Sequence, residues 1–161
     1  MTTLVYRDGI LAADSLITYG HTQMPGVAQK IHKLPNGDLY GFVGSLESGE
    51  IMRRWLVDEE RQSRPIGPMK TDNFEALIAS QEDGLLFFED REWVKIRVPY
   101  VAMGSGKEHA YGALQVGASA RQAVLAAMKL DAGTGGKLKT LEVRNWKGDR
   151  SSVEQCWSSI P

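Results

Sequence analysis

The chain has 161 residues, 42% hydrophobic and 24% charged, which is typical of one globular domain, so we expect residues 1–161 to form a single domain. Its 19 basic and 20 acidic residues predict no binding surface for nucleic acid or an anionic membrane. The single Cys156 excludes an intrachain disulfide, and without a secretory signal or a run of about 20 apolar residues we expect a cytoplasmic protein.

The first predicted element is a β-hairpin. Strands over Thr2–Arg7 and Ile10–Asp14 flank Asp8-Gly9, a dipeptide that favours two-residue turns because both positions tolerate positive φ. With these residues as the turn, opposed residue numbers sum to 17, so Thr3 faces Asp14. The register therefore predicts a carboxylate beside the first residues of the chain.

The remaining pattern predicts further strands interrupted by two helices. The predicted strands are Ala28–Leu34, Asp38–Val43, Phe74–Ala79, Leu85–Glu89, Trp93–Val98, Tyr100–Met103, Leu138–Asn145 and Ser151–Cys156. The predicted helices are Ser45–Gln62, with Ser45 as N-cap, and Glu108–Leu130. Loops are predicted over Arg64–Thr71 and Asp131–Gly136. This order indicates an α+β fold with two antiparallel sheets and helices outside them.

Motifs for metal or nucleotide chemistry are absent from the sequence. His21, His32, His109 and Cys156 are scattered without the spacing of zinc ligands. There is no phosphate-binding loop, dinucleotide fingerprint or nucleophile elbow. We therefore predict no metal and no cofactor.

Thr2 offers a different chemistry. If Met1 is removed, as is usual before a small residue, Thr2 carries a hydroxyl and a free α-amine. An unperturbed α-amine titrates near ~7.7–8.0 and can accept the hydroxyl proton. Such a site also needs a cation, a carboxylate that holds this cation, and a backbone N–H for the oxyanion.

Four blocks of sequence occur in order over about residues 2–145. They are Thr2-Thr3-Leu4-Val5 with Gly9, Ala12-Ala13-Asp14-Ser15, Thr18 and Gly20; Lys30-Ile31 with Gly41-Phe42-Val43-Gly44-Ser45; Gly104-Ser105-Gly106 with Ala110-Tyr111-Gly112; and Asp131-Ala132-Gly133-Thr134-Gly135-Gly136. Together they resemble the proteasome β-subunits and the bacterial HslV-type peptidases, which are N-terminal-nucleophile hydrolases. The resemblance implies a four-layer αββα sandwich of two antiparallel sheets.

The resemblance also implies a catalytic role for each matched residue. Thr2 would be the nucleophile and its α-amine the base, while Lys30 would favour the ionised hydroxyl. Asp14 would pair with Lys30, and the Gly44 N–H would bind the oxyanion. The polar network near the α-amine would comprise Ser105, Asp131 and Thr134.

The same resemblance implies how a substrate would bind. The pocket for the residue before the scissile bond would be formed by Ile17, Ala28, Phe42 and Leu46. All four are apolar, which predicts a preference for hydrophobic residues there. Thr18 would bind the substrate backbone as an added strand.

Two features depart from the family pattern. The first hairpin is shorter by about two residues on each arm, and this even loss keeps the relative facing of Thr2 and Asp14. The second of two helices expected between the halves of the fold is predicted to be reduced, because Arg64–Thr71 contains two prolines and a glycine.

Three hypotheses for function follow. The resemblance favours a threonine endopeptidase that cleaves a polypeptide substrate through an acyl-enzyme. It would be a homo-oligomer, a ring fed by a separate AAA+ ATPase unfoldase, because this chain has no ATP motif. A small-molecule amidase remains an alternative because the fold does not determine the substrate. A non-catalytic assembly protein is the third, favoured by a retained Met1 and the reduced helix.

Overall fold

The computed structural model describes residues 2–58, 72–89 and 91–143, which form three helices and eleven strands. In chain order these are β1 (Thr3–Arg7), β2 (Ile10–Ala13), β3 (Ile17–Tyr19), β4 (Thr22–Met24), β5 (Ile31–Lys33), β6 (Leu39–Gly44), α1 (Leu46–Val57), β7 (Phe74–Ser80), β8 (Gly84–Glu89), β9 (Glu92–Ile96), β10 (Tyr100–Gly104), α2 (Lys107–Gln115), α3 (Ala120–Leu130) and β11 (Lys139–Glu142). The predicted mixture of helices and antiparallel sheets is confirmed.

The strands form three antiparallel sheets. One has the order β10-β1-β2-β11, a second has the order β5-β6-β7-β8-β9, and β3 and β4 form a separate hairpin. Among the residues described, no helix is long and apolar enough to cross a membrane.

The two larger sheets pack face to face, with helices on their outer faces. The core between the sheets takes side chains from both, including Leu4, Leu11, Ile31, Leu77 and Met103. Because side chains alternate along a strand, Val5 points the other way and packs with Ala110 and Val124 of α2 and α3. The outer face of the second sheet is covered by α1, through Tyr40, Phe42, Met52 and Phe74. The layers therefore run helices, sheet, sheet, helix.

The β1–β2 hairpin has the predicted register. Its pairs run from Leu4 with Ala13 to Arg7 with Ile10. Positive φ angles of 51° at Asp8 and 77° at Gly9 form the tight turn. The register brings the residue after β2, Asp14, beside the start of β1.

The predicted helix over Glu108–Leu130 is wrong, because the chain forms two helices, α2 and α3. Gly117 has a φ of 97°, a conformation that ends a helix and suits glycine. Ser119 then caps α3, with its side chain accepting from the Gln122 N–H while the Gln122 side chain accepts from the Ser119 N–H.

Other predicted boundaries also differ. The N-cap at Ser45 is confirmed by its side chain, which accepts from the Ser48 N–H. The helix α1 ends at Val57, because Asp58 is extended, and the predicted part over residues 59–62 lies outside the described residues. The β3–β4 hairpin was not predicted. The predicted strands Ala28–Leu34, Trp93–Val98 and Leu138–Asn145 correspond to the shorter or shifted β5, β9 and β11, whereas Arg64–Thr71 and Ser151–Cys156 lie outside the described residues.

Candidate active site

A buried ion pair lies beside the first strand. The Lys30 Nζ lies 3.1 Å from Oδ1 and 3.2 Å from Oδ2 of Asp14, and the two residues are 2% and 1% exposed. The carboxylate also accepts three backbone N–H groups, at 2.9, 3.2 and 3.1 Å, from Thr3, Leu16 and Gly135. It thereby joins the start of β1 to the residue before β5 and to the loop after α3.

Burial governs the electrostatics of this pair. Desolvation lowers the pKa of Lys30 below its ordinary value, and attraction to Asp14 and hydrogen bonding with Asp14 offset only part of that effect. The Asp14 carboxylate therefore links this cation to the backbone of Thr3, at the start of β1.

Thr2 is 3% exposed and is held through its backbone. Its carbonyl oxygen accepts the Ser105 N–H at 2.9 Å. At the end of β10, Gly104 has a φ of 91°, and a Cβ built there would lie 1.8 Å from the Thr2 carbonyl oxygen. A side chain at Gly104 would thus displace Thr2, so glycine is required for the close approach of β1 and β10.

We expect Gly104→Ala to destabilise the protein by more than about 1 kcal/mol, because both the positive φ and the contact with Thr2 oppose a Cβ. Gly112→Ala is the matched control. It lies inside α2 with no atom within 4 Å of a new Cβ, so it should be neutral or stabilise by up to about 1 kcal/mol. Urea unfolding of both variants measures the difference, and equal stabilities would contradict the assigned contact.

The three residues predicted near the α-amine, Ser105, Asp131 and Thr134, are hydrogen-bonded to one another and form a second polar group. The Ser105 hydroxyl donates to Asp131 Oδ2 at 2.6 Å, the Thr134 hydroxyl donates to the same oxygen at 2.5 Å, and the Gly133 N–H donates to Oδ1 at 3.2 Å. Burial alone raises the pKa of Asp131, but these hydrogen bonds and the nearby His109 outweigh it and lower the pKa below its ordinary value. The carboxylate is therefore ionised at neutral pH.

A cleft of about 720 Å³ opens beside Thr2. Four of the predicted site residues line it, namely Thr2, Thr18, Gly44 and Ser105. The other lining residues are Gly20, Val43, Ser45, Asp72, Asn73, Phe74, Glu75, Glu89, Gly104 and Lys107. The proposed nucleophile and the proposed oxyanion donor thus share one cleft, which contains three carboxylates and one ammonium group.

Gly44 also needs to be glycine. Its φ is 91°, and a Cβ built on it would lie 1.8 Å from the Asn73 carbonyl oxygen. At the turn from β6 into α1, the backbone of Gly44 therefore lines the cleft without a side chain to cover it.

The fold resembles that of two solved structures. No protein-family model matches the sequence. Thiobacillus denitrificans BPH has a TM-score of 0.65 and 18% identity, with 89% of this chain and 98% of that chain covered. The same protein in complex with epoxomicin has a TM-score of 0.63 and 18% identity, with 88% and 98% covered. At this identity the likeness to BPH shows a shared fold alone.

The four apolar residues predicted around a substrate pocket do not line the cleft. Phe42 is 4% exposed and lies under α1, where a Cβ on Gly49 would meet its ring at 2.3 Å. Its neighbour Val43 reaches the cleft instead, since adjacent side chains on β6 point to opposite faces. Ile17 and Ala28 are partly buried and Leu46 is 40% exposed. The preference for hydrophobic residues thus rests on the family resemblance alone.

Two features of the site were missed by the sequence analysis. The first is the group of three acidic residues that line the cleft, Asp72 before β7, Glu75 on β7 and Glu89 on β8. These residues are separated in sequence and belong to no common motif. Thr3 was quoted only as part of a block, although its hydroxyl lies 2.6 Å from Thr134 Oγ1. Within the described part of the chain, no group of three or more His, Cys, Asp or Glu side chains could hold a metal ion.

Proposed function

We propose that the protein is a threonine endopeptidase whose nucleophile is Thr2 Oγ1 and whose base is the Thr2 α-amine, freed when Met1 is removed. The observation that carries the proposal is the convergence of two polar groups on residues 2 and 3, one buried around Asp14 and one partly buried around Asp131. Asp14, paired with Lys30, accepts the Thr3 N–H at 2.9 Å, and Ser105, bonded to Asp131, donates its N–H to the Thr2 carbonyl at 2.9 Å.

The reaction would proceed through an ester. The α-amine of Thr2 takes the hydroxyl proton, and the oxygen attacks the carbonyl carbon of the scissile peptide bond. The Gly44 N–H binds the oxyanion, a contribution of about 2.7–4 kcal/mol per donor in other acyl-transfer enzymes. The proton passes to the leaving amine as the C–N bond breaks. Water, deprotonated by the same α-amine, then attacks the ester and releases the acid.

The structural neighbours support an attack on peptides. BPH has been solved with epoxomicin, a proteasome inhibitor. The epoxomicin complex of BPH, together with the matched residues around Thr2, favours the peptidase over the amidase. Assembly into a ring, feeding by an AAA+ ATPase, a cytoplasmic location and a hydrophobic residue before the scissile bond remain predictions from the resemblance.

The experiment compares substrates on protein that begins at Thr2. We expect hydrolysis of fluorogenic peptides, with an initial burst if the ester accumulates. Hydrolysis of small amides without peptide cleavage would favour the amidase. A folded protein that begins at Thr2 and cleaves neither class would contradict the proposal and favour the assembly protein.

The activity should depend on pH in a predictable direction. As the pH rises past about 7.7–8.0, the α-amine becomes a neutral base and activity increases. Burial lowers the pKa of Lys30 from 10.5, so its ammonium is lost, and activity falls, at a pH below 10.5. The profile of kcat/KM against pH measures both limbs. An alkaline limb at or above 10.5, on protein shown to remain folded, would contradict the role of Lys30.

A further inference from the structure

Thr3, the residue after the proposed nucleophile, is bonded to both polar groups of the site. It is 0% exposed. Its backbone N–H donates to Asp14 Oδ1 at 2.9 Å, and its carbonyl oxygen accepts the Asp14 N–H at 3.3 Å. Its hydroxyl oxygen lies 2.6 Å from Thr134 Oγ1 and accepts the Gly106 N–H at 3.1 Å. Thr3 therefore connects the group around Asp14 with the group around Asp131.

The direction of each hydrogen bond in this chain can be assigned. Ionised Asp131 can only accept, so the hydroxyls of Ser105 and Thr134 donate to it. Thr134 has a single hydroxyl proton, which this bond uses. In the contact with Thr134, Thr3 must then be the donor, while its own oxygen accepts from Gly106. The order is Gly106 to Thr3 to Thr134 to Asp131, and every donor has one acceptor.

The start of α2 lies close against the Thr3 hydroxyl. A Cβ built on Gly106 would lie 2.2 Å from Thr3 Oγ1 and 3.0 Å from Thr134 Oγ1. The start of α2 thus approaches β1 closely because Gly106 lacks a side chain. Alternation along the strand sends the Thr3 side chain toward α2 and α3, whereas Thr2 lines the cleft.

We propose that Thr3 is a positioning residue, whose hydroxyl holds the start of β1 against α2 and the Asp131 loop and thereby fixes Thr2 in the cleft. Its catalytic consequence rests on the proposed function. Because the peptide link is short, a shift of Thr3 moves both the hydroxyl and the α-amine of Thr2. A displacement of about 1 Å in an active site can cost about 10²-fold in rate.

Thr3→Val tests the hydroxyl alone, because valine has nearly the same shape. We expect kcat to fall about 10²-fold while KM stays within about threefold, and Thr3→Ser to restore kcat to within about threefold of wild type. Thr134→Val should lower kcat similarly. Since both residues belong to one chain of bonds, the double variant should be little worse than either single variant. A wild-type kcat in Thr3→Val, or losses that multiply in the double variant, would overturn the proposal.

A second measurement does not depend on activity. Hydrogen exchange of the Gly106 amide should be slow in wild type and in Thr3→Ser, and faster by about tenfold or more in Thr3→Val, where its acceptor is lost. Equal protection in wild type and Thr3→Val would overturn the proposal. If the wild type starting at Thr2 hydrolyses no peptide, the proposed function fails and the Gly106 amide alone decides the role of Thr3.

Discussion

Thr2→Ala is expected to abolish peptide hydrolysis. The variant keeps the α-amine and the backbone carbonyl that accepts the Ser105 N–H, but it lacks the oxygen that forms the ester. We expect kcat/KM to fall by on the order of 10⁴-fold or more, as happens when a covalent nucleophile is removed. Steady-state hydrolysis of a fluorogenic peptide measures the loss.

Thr2→Ser is the matched control for this variant. Serine retains both the hydroxyl and the α-amine, so most of the activity should remain, reduced by about tenfold or less. Thermal unfolding should place both variants within about 2 kcal/mol of wild type, since only small groups are removed. Residual activity of Thr2→Ala above a tenth of wild type would assign the chemistry to another residue.

Lys30→Met should destabilise the protein and abolish its activity. It leaves the Asp14 carboxylate, which is 1% exposed, without its cation. Removing one partner of a buried pair costs about 3–5 kcal/mol, and urea unfolding measures this loss. Lys33→Met, at an exposed lysine three residues further along the chain, is the control and should change stability by less than about 0.5 kcal/mol.

A double variant separates the two effects. Lys30→Met combined with Asp14→Asn removes the unpaired charge, so part of the lost stability should return. Activity should not return, because the ammonium group that pairs with Asp14 is still absent. Recovery of activity in the double variant, or wild-type activity in folded Lys30→Met, would contradict the catalytic role of the pair.

Local signals predicted part of the fold and the site well. The turn at Asp8-Gly9 determines the register of β1 and β2, so the proximity of Thr3 to Asp14 followed from sequence. The signals that divide the predicted long helix, Gly117 and the capping pair Ser119 and Gln122, were also present in the sequence. The alanine-rich pattern across them outweighed these signals in the prediction.

Other features depend on packing that the sequence does not specify. Both faces of β6 are buried, as shown by Tyr40, Phe42 and Val43, so no alternation of polar and apolar residues indicates which side chain reaches the cleft. The bond between Thr3 and Thr134 joins residues 131 positions apart, and the packing of α2 and α3 against β1 brings them together. The sequence predicted which residues belong to the site, whereas the packing of the helices and sheets determines which of their side chains are in contact.

The central claim is that Thr2, as the first residue of the mature chain, is the nucleophile. Mass spectrometry of the assembled protein after treatment with a peptide epoxyketone, followed by peptide mapping, tests this claim most directly. We predict one adduct per chain, located on Thr2 of a chain that begins with Thr2, and none on Thr2→Ala. A folded protein beginning at Thr2 that stays unmodified, or that carries the adduct elsewhere, would contradict the account.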